Sequence, residues 1–243
     1  MRQFHLLNCY QNQTVQLKSD IMKKLFPLFF LFVVIVLTHS CKKDNSNSGG
    51  KLEGTQSAMS VIGTTVASTS APISGVSNLT ASVVSLSNGI SSYSGSGTVT
   101  NPTIKNILSN IPGITVSGDN VTATGFKYKQ TTDGIECLVD IGPGVLVNYN
   151  SNVGDTYPVG NTGRTRTVVS KSTDNDYPYG YYYIKVLKVE EPTPDLKSTS
   201  MGITKVTYWA NERFGLVAVQ YDFSDGTSAN FPVFSSVTND VNE

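Results

Sequence analysis

Apolar and polar residues alternate along residues 113–243, the second half of the chain. A period of two is typical of strands that bury one face. The alternation is clearest in GLVAVQYDF, where one predicted face consists of Val217, Val219, Tyr221 and Phe223. Asp133-Gly134 and Asp225-Gly226 are turn dipeptides that predict hairpins. The pattern predicts a mainly β fold, with a curved antiparallel sheet or half-barrel at the C-terminal side.

Residues 57–112 are rich in Ser and Thr, and their apolar residues recur at spacings of three and four, as at Met59, Ile62 and Val66. This spacing favours a few short N-terminal helices beside the sheet. A strand alternation also fits Val84 and Leu86, and a disordered stalk is a third alternative because Ser, Thr and Gly form helices poorly. The clearest helix is predicted in PTIKNILSNIPG, where one face would hold Ile104, Ile107, Leu108 and Ile111.

One segment near the start is almost entirely apolar, and it follows Lys23 and Lys24. Residues 25–37 make a run of about thirteen residues, which suits the apolar part of a signal peptide. The run is shorter than the about twenty residues of a membrane-spanning helix. It is followed by LTHSC, in which Ser40 directly precedes Cys41. This pentapeptide resembles the lipobox of bacterial lipoproteins, and the SCKKD continuation is similar to outer-membrane lipoproteins of the Bacteroidota.

The resemblance implies that residues 22–40 are a signal peptide, and that Cys41 becomes the acylated first residue on the outer membrane. Each buried methylene contributes about 0.8 kcal/mol, so several acyl chains would hold a domain firmly on a membrane. The polar residues 41–56 are then expected to form a flexible tether. Residues 1–21 fit no targeting element, and we expect Met22, which precedes two lysines, to be the true start.

Cleavage before Cys41 would narrow the available chemistry. Both histidines, His5 and His39, lie before the cut, so no imidazole would remain for nucleophilic catalysis or metal binding. Cys137 alternates with apolar residues and is expected to be a buried, unreactive thiol. The remaining 14 basic and 17 acidic side chains form no basic patch, so nucleic acid is not an expected partner. No cofactor is expected either.

The stretch DYPYGYYY concentrates tyrosines around a Pro-Gly turn. Tyrosine rings can stack on sugars, since each offers a flat apolar face and a polar tip. Tyr177 and Tyr179, placed on the loop, are the predicted ligand contacts, whereas residues 181–183 enter a strand pattern. The alternative is that these aromatic residues pack in the core. Asp174 and Asp176 mimic a calcium loop, but the loop lacks the required Gly and closing Glu, so no metal site is expected.

The predicted function is therefore non-catalytic binding of a glycan, a lipid or another envelope protein by a membrane-anchored chain. One alternative is a carboxylate-based glycan-active enzyme, and another is a structural scaffold with no ligand. The enzyme would need two carboxyl groups about 5–9.5 Å apart. The candidate acids are Glu136, Asp140, Glu212 and Asp222. Glu190 and Glu191 are instead predicted to lie on a solvated strand edge.

Overall fold

The computed structural model describes residues 52–68, 72–109, 113–138, 142–192 and 203–237. Within these ranges the chain forms sixteen strands, one short α-helix and a single turn of 3-10 helix at Ala58–Ser60. The α-helix is α1 (Pro102–Leu108). The strands are β1 (Thr64–Ala67), β2 (Val76–Ser87), β3 (Ile90–Val99), β4 (Ile114–Ser117), β5 (Asn120–Thr131), β6 (Gly134–Cys137), β7 (Gly144–Asn148), β8 (Thr156–Pro158), β9 (Thr165–Lys171), β10 (Tyr177–Tyr179), β11 (Tyr182–Ile184), β12 (Leu187–Pro192), β13 (Ile203–Asn211), β14 (Gly215–Phe223), β15 (Ser228–Pro232) and β16 (Phe234–Val237).

The strands build two antiparallel sheets and one separate hairpin. The larger sheet has eight strands in the order β16-β1-β2-β3-β5-β6-β7, with β4 paired beside β5. The smaller sheet has six strands in the order β15-β14-β13-β12-β9-β8, and β10 pairs only with β11. The fold is thus mainly β, with a curled antiparallel half-barrel, as the alternating pattern predicts. The predicted hairpins β5–β6, β13–β14 and β14–β15 are all confirmed.

The helices predicted within residues 57–94 are wrong, because β2 and β3 occupy most of this region. Asn88 and Gly89 both have positive φ and form the turn between the two strands, a hairpin signal that the sequence carries openly. The helix-like spacing arises from β-bulges. The register of β2 against β3 shifts between Ser77 and Thr80, so the buried Val76 and Leu79 lie three residues apart within a strand.

The helix predicted after residue 101 is present as α1. The Asn101 side chain accepts a hydrogen bond from the Ile104 backbone N–H at 3.2 Å, and Pro102 occupies the first helical position. Ile104 and Leu108 are buried against residues of the larger sheet, including Val76 and Val99. The helix therefore covers one part of the sheet and supplies apolar side chains to the core.

The two sheets are joined on one side by the consecutive strands β15 and β16. β15 belongs to the smaller sheet and β16 pairs with β1 of the larger sheet, with only Val233 between them. On the other side, the Gly160 N–H donates to the Pro143 carbonyl at 2.9 Å, which joins the β8 end to the β7 end. One hydrophobic cluster lies between the sheets. It includes Leu79, Phe126, Val147, Val189, Val206, Tyr221 and Phe231.

The Ser- and Thr-rich residues before residue 113 and the alternating residues after it form one folded body. β3, before it, pairs along its length with β5, after it, and both segments contribute to the same cluster. Residues 52–56, assigned to the flexible tether, also belong to the folded body. Leu52 is buried, and the Thr132 N–H donates to the Thr55 carbonyl at 2.9 Å. In the part of the chain that the structure describes, no helix is long and apolar enough to cross a membrane.

A second, smaller cluster lies apart from the main core. Its buried members are Tyr179, Ile184, Val186 and Val217. Val217 was predicted to share a face with Val219 and Tyr221, and this is wrong. The register of β13 against β14 shifts between Trp209 and Ala210, so Val217 turns to the second cluster while Leu216 packs against the main one.

Candidate functional site

The hairpin β10–β11 carries Tyr177 and Tyr179, the predicted ligand contacts, and it buries Tyr179 while leaving Tyr177 half-buried. Tyr179 is only 6% exposed. Its ring stacks on Phe234 with centroids 4.9 Å apart, and its hydroxyl accepts a hydrogen bond from the Ser235 N–H at 3.2 Å. Tyr177 is half-buried beside Trp209, 6.5 Å between ring centroids. Tyr179 is therefore a packing residue and not a stacking surface for a ligand.

The exposed aromatic residues are the three that were expected to enter the strand. Tyr181 is fully exposed, and Tyr182 and Tyr183 are 68% and 65% exposed. The hairpin turns at Gly180, whose φ of +59° suits glycine, and Tyr179 pairs with Tyr182 across it. The second cluster buries Tyr179 of the first strand and Ile184 of the second, and it leaves the tip of the hairpin and the start of its second strand exposed. Sequence alternation alone does not reveal which strand a neighbouring sheet will cover.

Tyr182 and Tyr183 line one wall of a groove of about 660 Å³. The segment after β9 supplies Ser172 and Asn175, the start of β12 and the residues before it supply Lys185 to Leu187, and the β13–β14 turn supplies Asn211 to Phe214. Tyr149 and Lys171 complete the lining. The volume falls within the about 300–1,000 Å³ that is usual for small-molecule sites. Aromatic rings and polar side chains thus meet in one concave surface.

Tyr149 is the least exposed polar residue that lines this groove. Its side chain is 4% exposed, and its hydroxyl has no hydrogen-bond partner among the described residues. Burial raises the pKa of Tyr149, and the negative charge of nearby Glu212 raises it further, so the hydroxyl stays protonated. A buried hydroxyl without a partner costs about 1–3 kcal/mol. Nothing in the sequence pattern distinguishes this tyrosine from the other eleven.

Two other groups shape the groove. The Asn211 side chain accepts from the N–H groups of Arg213 and Phe214 at 2.9 and 3.1 Å, and it donates to the Lys185 carbonyl at 2.7 Å. These bonds hold the β13–β14 turn against the chain before β12. The Lys171 ammonium donates to the carbonyls of Tyr149 and Ser151, at 2.9 and 3.0 Å. These hydrogen bonds join the segments that line the groove to one another.

A second concavity, a cavity of about 190 Å³, lies between the two sheets. Its lining is largely apolar and includes Phe126, Leu146 and Val219. Arg166 is the charged group in its wall, and its Nε donates to Glu191 at 2.9 Å. Glu191 also pairs with Arg164 and is 3% exposed. The prediction that Glu191 lies on a solvated edge is therefore wrong, whereas its half-buried neighbour Glu190 pairs with Lys188 and Lys205.

The remaining sequence candidates are not brought together. Cys137 is buried in the wall of the cavity, as expected from its alternation. Asp176 accepts a hydrogen bond from the Ser172 hydroxyl at 2.6 Å, and the described residues contain no cluster of three or more potential metal ligands. Glu212 is the one carboxylate among the described residues that line the groove. Asp140, Cys41 and the signal peptide lie outside the described residues.

The chain matches no protein-family model, no curated protein and no solved structure.

Proposed function

We propose that this chain is a lipid-anchored protein of the cell envelope that binds a saccharide in the groove without cleaving it. The observation that carries the proposal is the meeting, in one groove, of two exposed tyrosine rings and the unpartnered hydroxyl of Tyr149. The rings offer apolar faces for stacking on a sugar. The Tyr149 hydroxyl oxygen is buried as well as unpartnered, so a sugar hydroxyl would become its partner only if the Tyr149 side chain moved toward the groove.

The groove suits a polar ligand better than an apolar one. Asn175, Lys185, Glu212 and Arg213 are exposed around it, and each can donate or accept hydrogen bonds. Tyr182 and Tyr183, and not Tyr177 and Tyr179, would then be the rings that stack on the sugar. The enzyme alternative would need a second carboxyl group facing Glu212 at a distance suited to glycoside cleavage.

Binding can be tested on a fragment of residues 52–243, because every described strand and both hydrophobic clusters lie within it. The fragment is titrated with neutral and uronic-acid oligosaccharides. Changing Tyr182 and Tyr183 together to Ala should weaken binding by about 5- to 150-fold, since each stacked ring contributes about 0.5–1.5 kcal/mol. Tyr181→Ala is the matched control, because Tyr181 is exposed on the same hairpin but does not line the groove.

Equal losses in the Tyr181→Ala protein and the double variant would contradict the groove as the binding site. Failure of every saccharide to bind would reject the proposal, and release of shortened products would favour the enzyme alternative.

The anchor is tested separately in the full chain. The lipobox-like LTHSC supports acylation of Cys41. A Cys41→Ser protein should lose its acyl chains and its cleavage site, and it should no longer incorporate labelled palmitate. Equal palmitate labelling of the two proteins would contradict attachment at Cys41.

A further inference from the structure

The cavity between the sheets is partly open to the surface, and it is larger than the voids of a native core. Native cores hold few voids larger than a water molecule. An engineered cavity of about 150 Å³ lined by Leu, Ile and Phe stays dry and binds benzene. The present cavity measures about 190 Å³ and is lined by aromatic and aliphatic side chains of both sheets, among them Tyr93, Phe126, Ile135, Leu146, Leu216 and Val219. It therefore has the size and the surface to hold a compact apolar group.

The charged wall group is already satisfied. Besides the Glu191 bond, Arg166 donates from Nη1 to the Val145 carbonyl at 3.0 Å and from Nη2 to the Gly142 carbonyl at 2.9 Å. Burial lowers the pKa of Arg166, but the facing Glu191 carboxylate outweighs this and leaves the pKa raised, so the guanidinium stays charged and paired. Burial also raises the pKa of Tyr208, which keeps that hydroxyl neutral. The cavity thus presents no unpaired charge from these groups that would demand an ionic ligand.

One rim of the cavity is less buried and more polar than its floor. Val66 of β1 pairs with Ala81 of β2 on one side and with Ser235 of β16 on the other, and all three residues are half-exposed. Ser68 also lines the cavity, whereas the hydroxyl of the exposed Thr80 is hydrogen-bonded to the Ser96 hydroxyl at 3.1 Å. Small side chains and hydroxyl groups therefore meet where the cavity approaches the protein surface.

We propose that the cavity binds one small amphipathic molecule, with its hydrocarbon part inside and its polar end at the rim formed by Val66, Ser68, Ala81 and Ser235. Scaling from benzene in about 150 Å³ gives room for about eight carbon atoms. A medium-chain aliphatic acid fits this description. The two long chains of a membrane phospholipid exceed the available volume. The site is distinct from the groove, since the two linings share no residue.

The test uses the 52–243 fragment and a series of straight-chain carboxylates from butanoate to hexadecanoate, with binding measured by calorimetry. Affinity should rise about fourfold per methylene up to about eight carbons, and then level off or fall. Vesicles of phosphatidylethanolamine and phosphatidylglycerol should not compete with octanoate. Continued gain up to hexadecanoate, or competition by the vesicles, would overturn the size argument and indicate a lipid-binding surface instead.

Substitutions locate the site. Val219→Phe should fill the cavity from the smaller sheet and Ala81→Leu should narrow its rim, and each should weaken octanoate binding at least tenfold. Val84→Leu is the control, because Val84 is 55% exposed on the same strand as Ala81 and does not line the cavity. Changing Tyr182 and Tyr183 to Ala should leave octanoate binding unchanged. Absence of octanoate binding in the unmodified fragment, or equal binding by the Ala81→Leu and Val84→Leu proteins, would overturn the proposal.

Discussion

The cavity and the groove use similar side chains in opposite ways. Both contain tyrosines, a basic residue and a nearby glutamate. In the cavity wall all three nitrogens of Arg166 are hydrogen-bonded to protein acceptors. In the groove the Tyr149 hydroxyl has no partner among the described residues, and two tyrosine rings are exposed. Residue type alone therefore does not distinguish a wall that is already hydrogen-bonded from a surface that can bind a polar ligand. The two sites differ in hydrogen bonding, which is complete for the Arg166 nitrogens and, within the described part of the chain, absent for the Tyr149 hydroxyl.

The largest expected effect comes from removing Glu191, the carboxylate that pairs with Arg166 in the cavity wall. Glu191→Ala should leave Arg166 buried without its counter-charge, at a cost of about 3–5 kcal/mol in the free energy of unfolding. Glu190→Ala, one residue away, removes only half-buried pairs with Lys188 and Lys205 and should cost at most about 1 kcal/mol. Urea unfolding of the two variants measures the difference. Similar losses would show that Arg166 does not depend on Glu191.

A smaller effect separates the packed tyrosines from the exposed ones. Tyr179→Ala should destabilise the fold by about 3 kcal/mol, because its ring fills the second cluster against Phe214 and Phe234. Tyr181→Ala should change stability by less than about 0.5 kcal/mol, since that side chain is fully exposed. Thermal unfolding of both proteins checks this. If Tyr179→Ala were as stable as Tyr181→Ala, the ring would not be part of a stabilising cluster.

The smallest expected effect is the change in stability when a tyrosine hydroxyl is removed. Its sign should differ between Tyr149 and Tyr157. Tyr149→Phe removes a buried hydroxyl without a partner and should stabilise the free protein by about 1 kcal/mol while weakening saccharide binding. Tyr157→Phe removes a hydroxyl that lies 3.4 Å from both the Asn148 N–H and the Asn148 carbonyl, and should destabilise by about 0.5 kcal/mol. Destabilisation by Tyr149→Phe would show that the hydroxyl already has a partner.

Local patterns predict the later hairpins well. Asp-Gly dipeptides and alternating apolar residues correctly indicate β5–β6 and β14–β15, because a tight turn and a period of two are properties of neighbouring residues. The same logic was available for β2–β3 at Asn88-Gly89. There the bulges gave buried residues a spacing of three, and that spacing imitates a helix.

The groove could be predicted only in part from the sequence. The tyrosine cluster correctly drew attention to the hairpin, but Tyr179 and Tyr182 face each other across it and differ in exposure only because Phe214 and Phe234 cover one of them. Tyr149 lies more than thirty residues before Tyr182 in the chain, and only the packing of β7, β9 and the β13–β14 turn brings them to one groove.

The sequence by itself determined the properties that depend on neighbouring residues. These are the strand periodicity after residue 113, the turns and the start of α1. Acylation of Cys41 stays a prediction. The tertiary structure decided which side chains are covered. Glu191 and Glu190 are adjacent and chemically identical, yet one is buried against Arg166 and the other lies half-exposed among lysines. Burial depends on what a distant segment places opposite a residue, and that information is not carried by the residue's own neighbours in the chain.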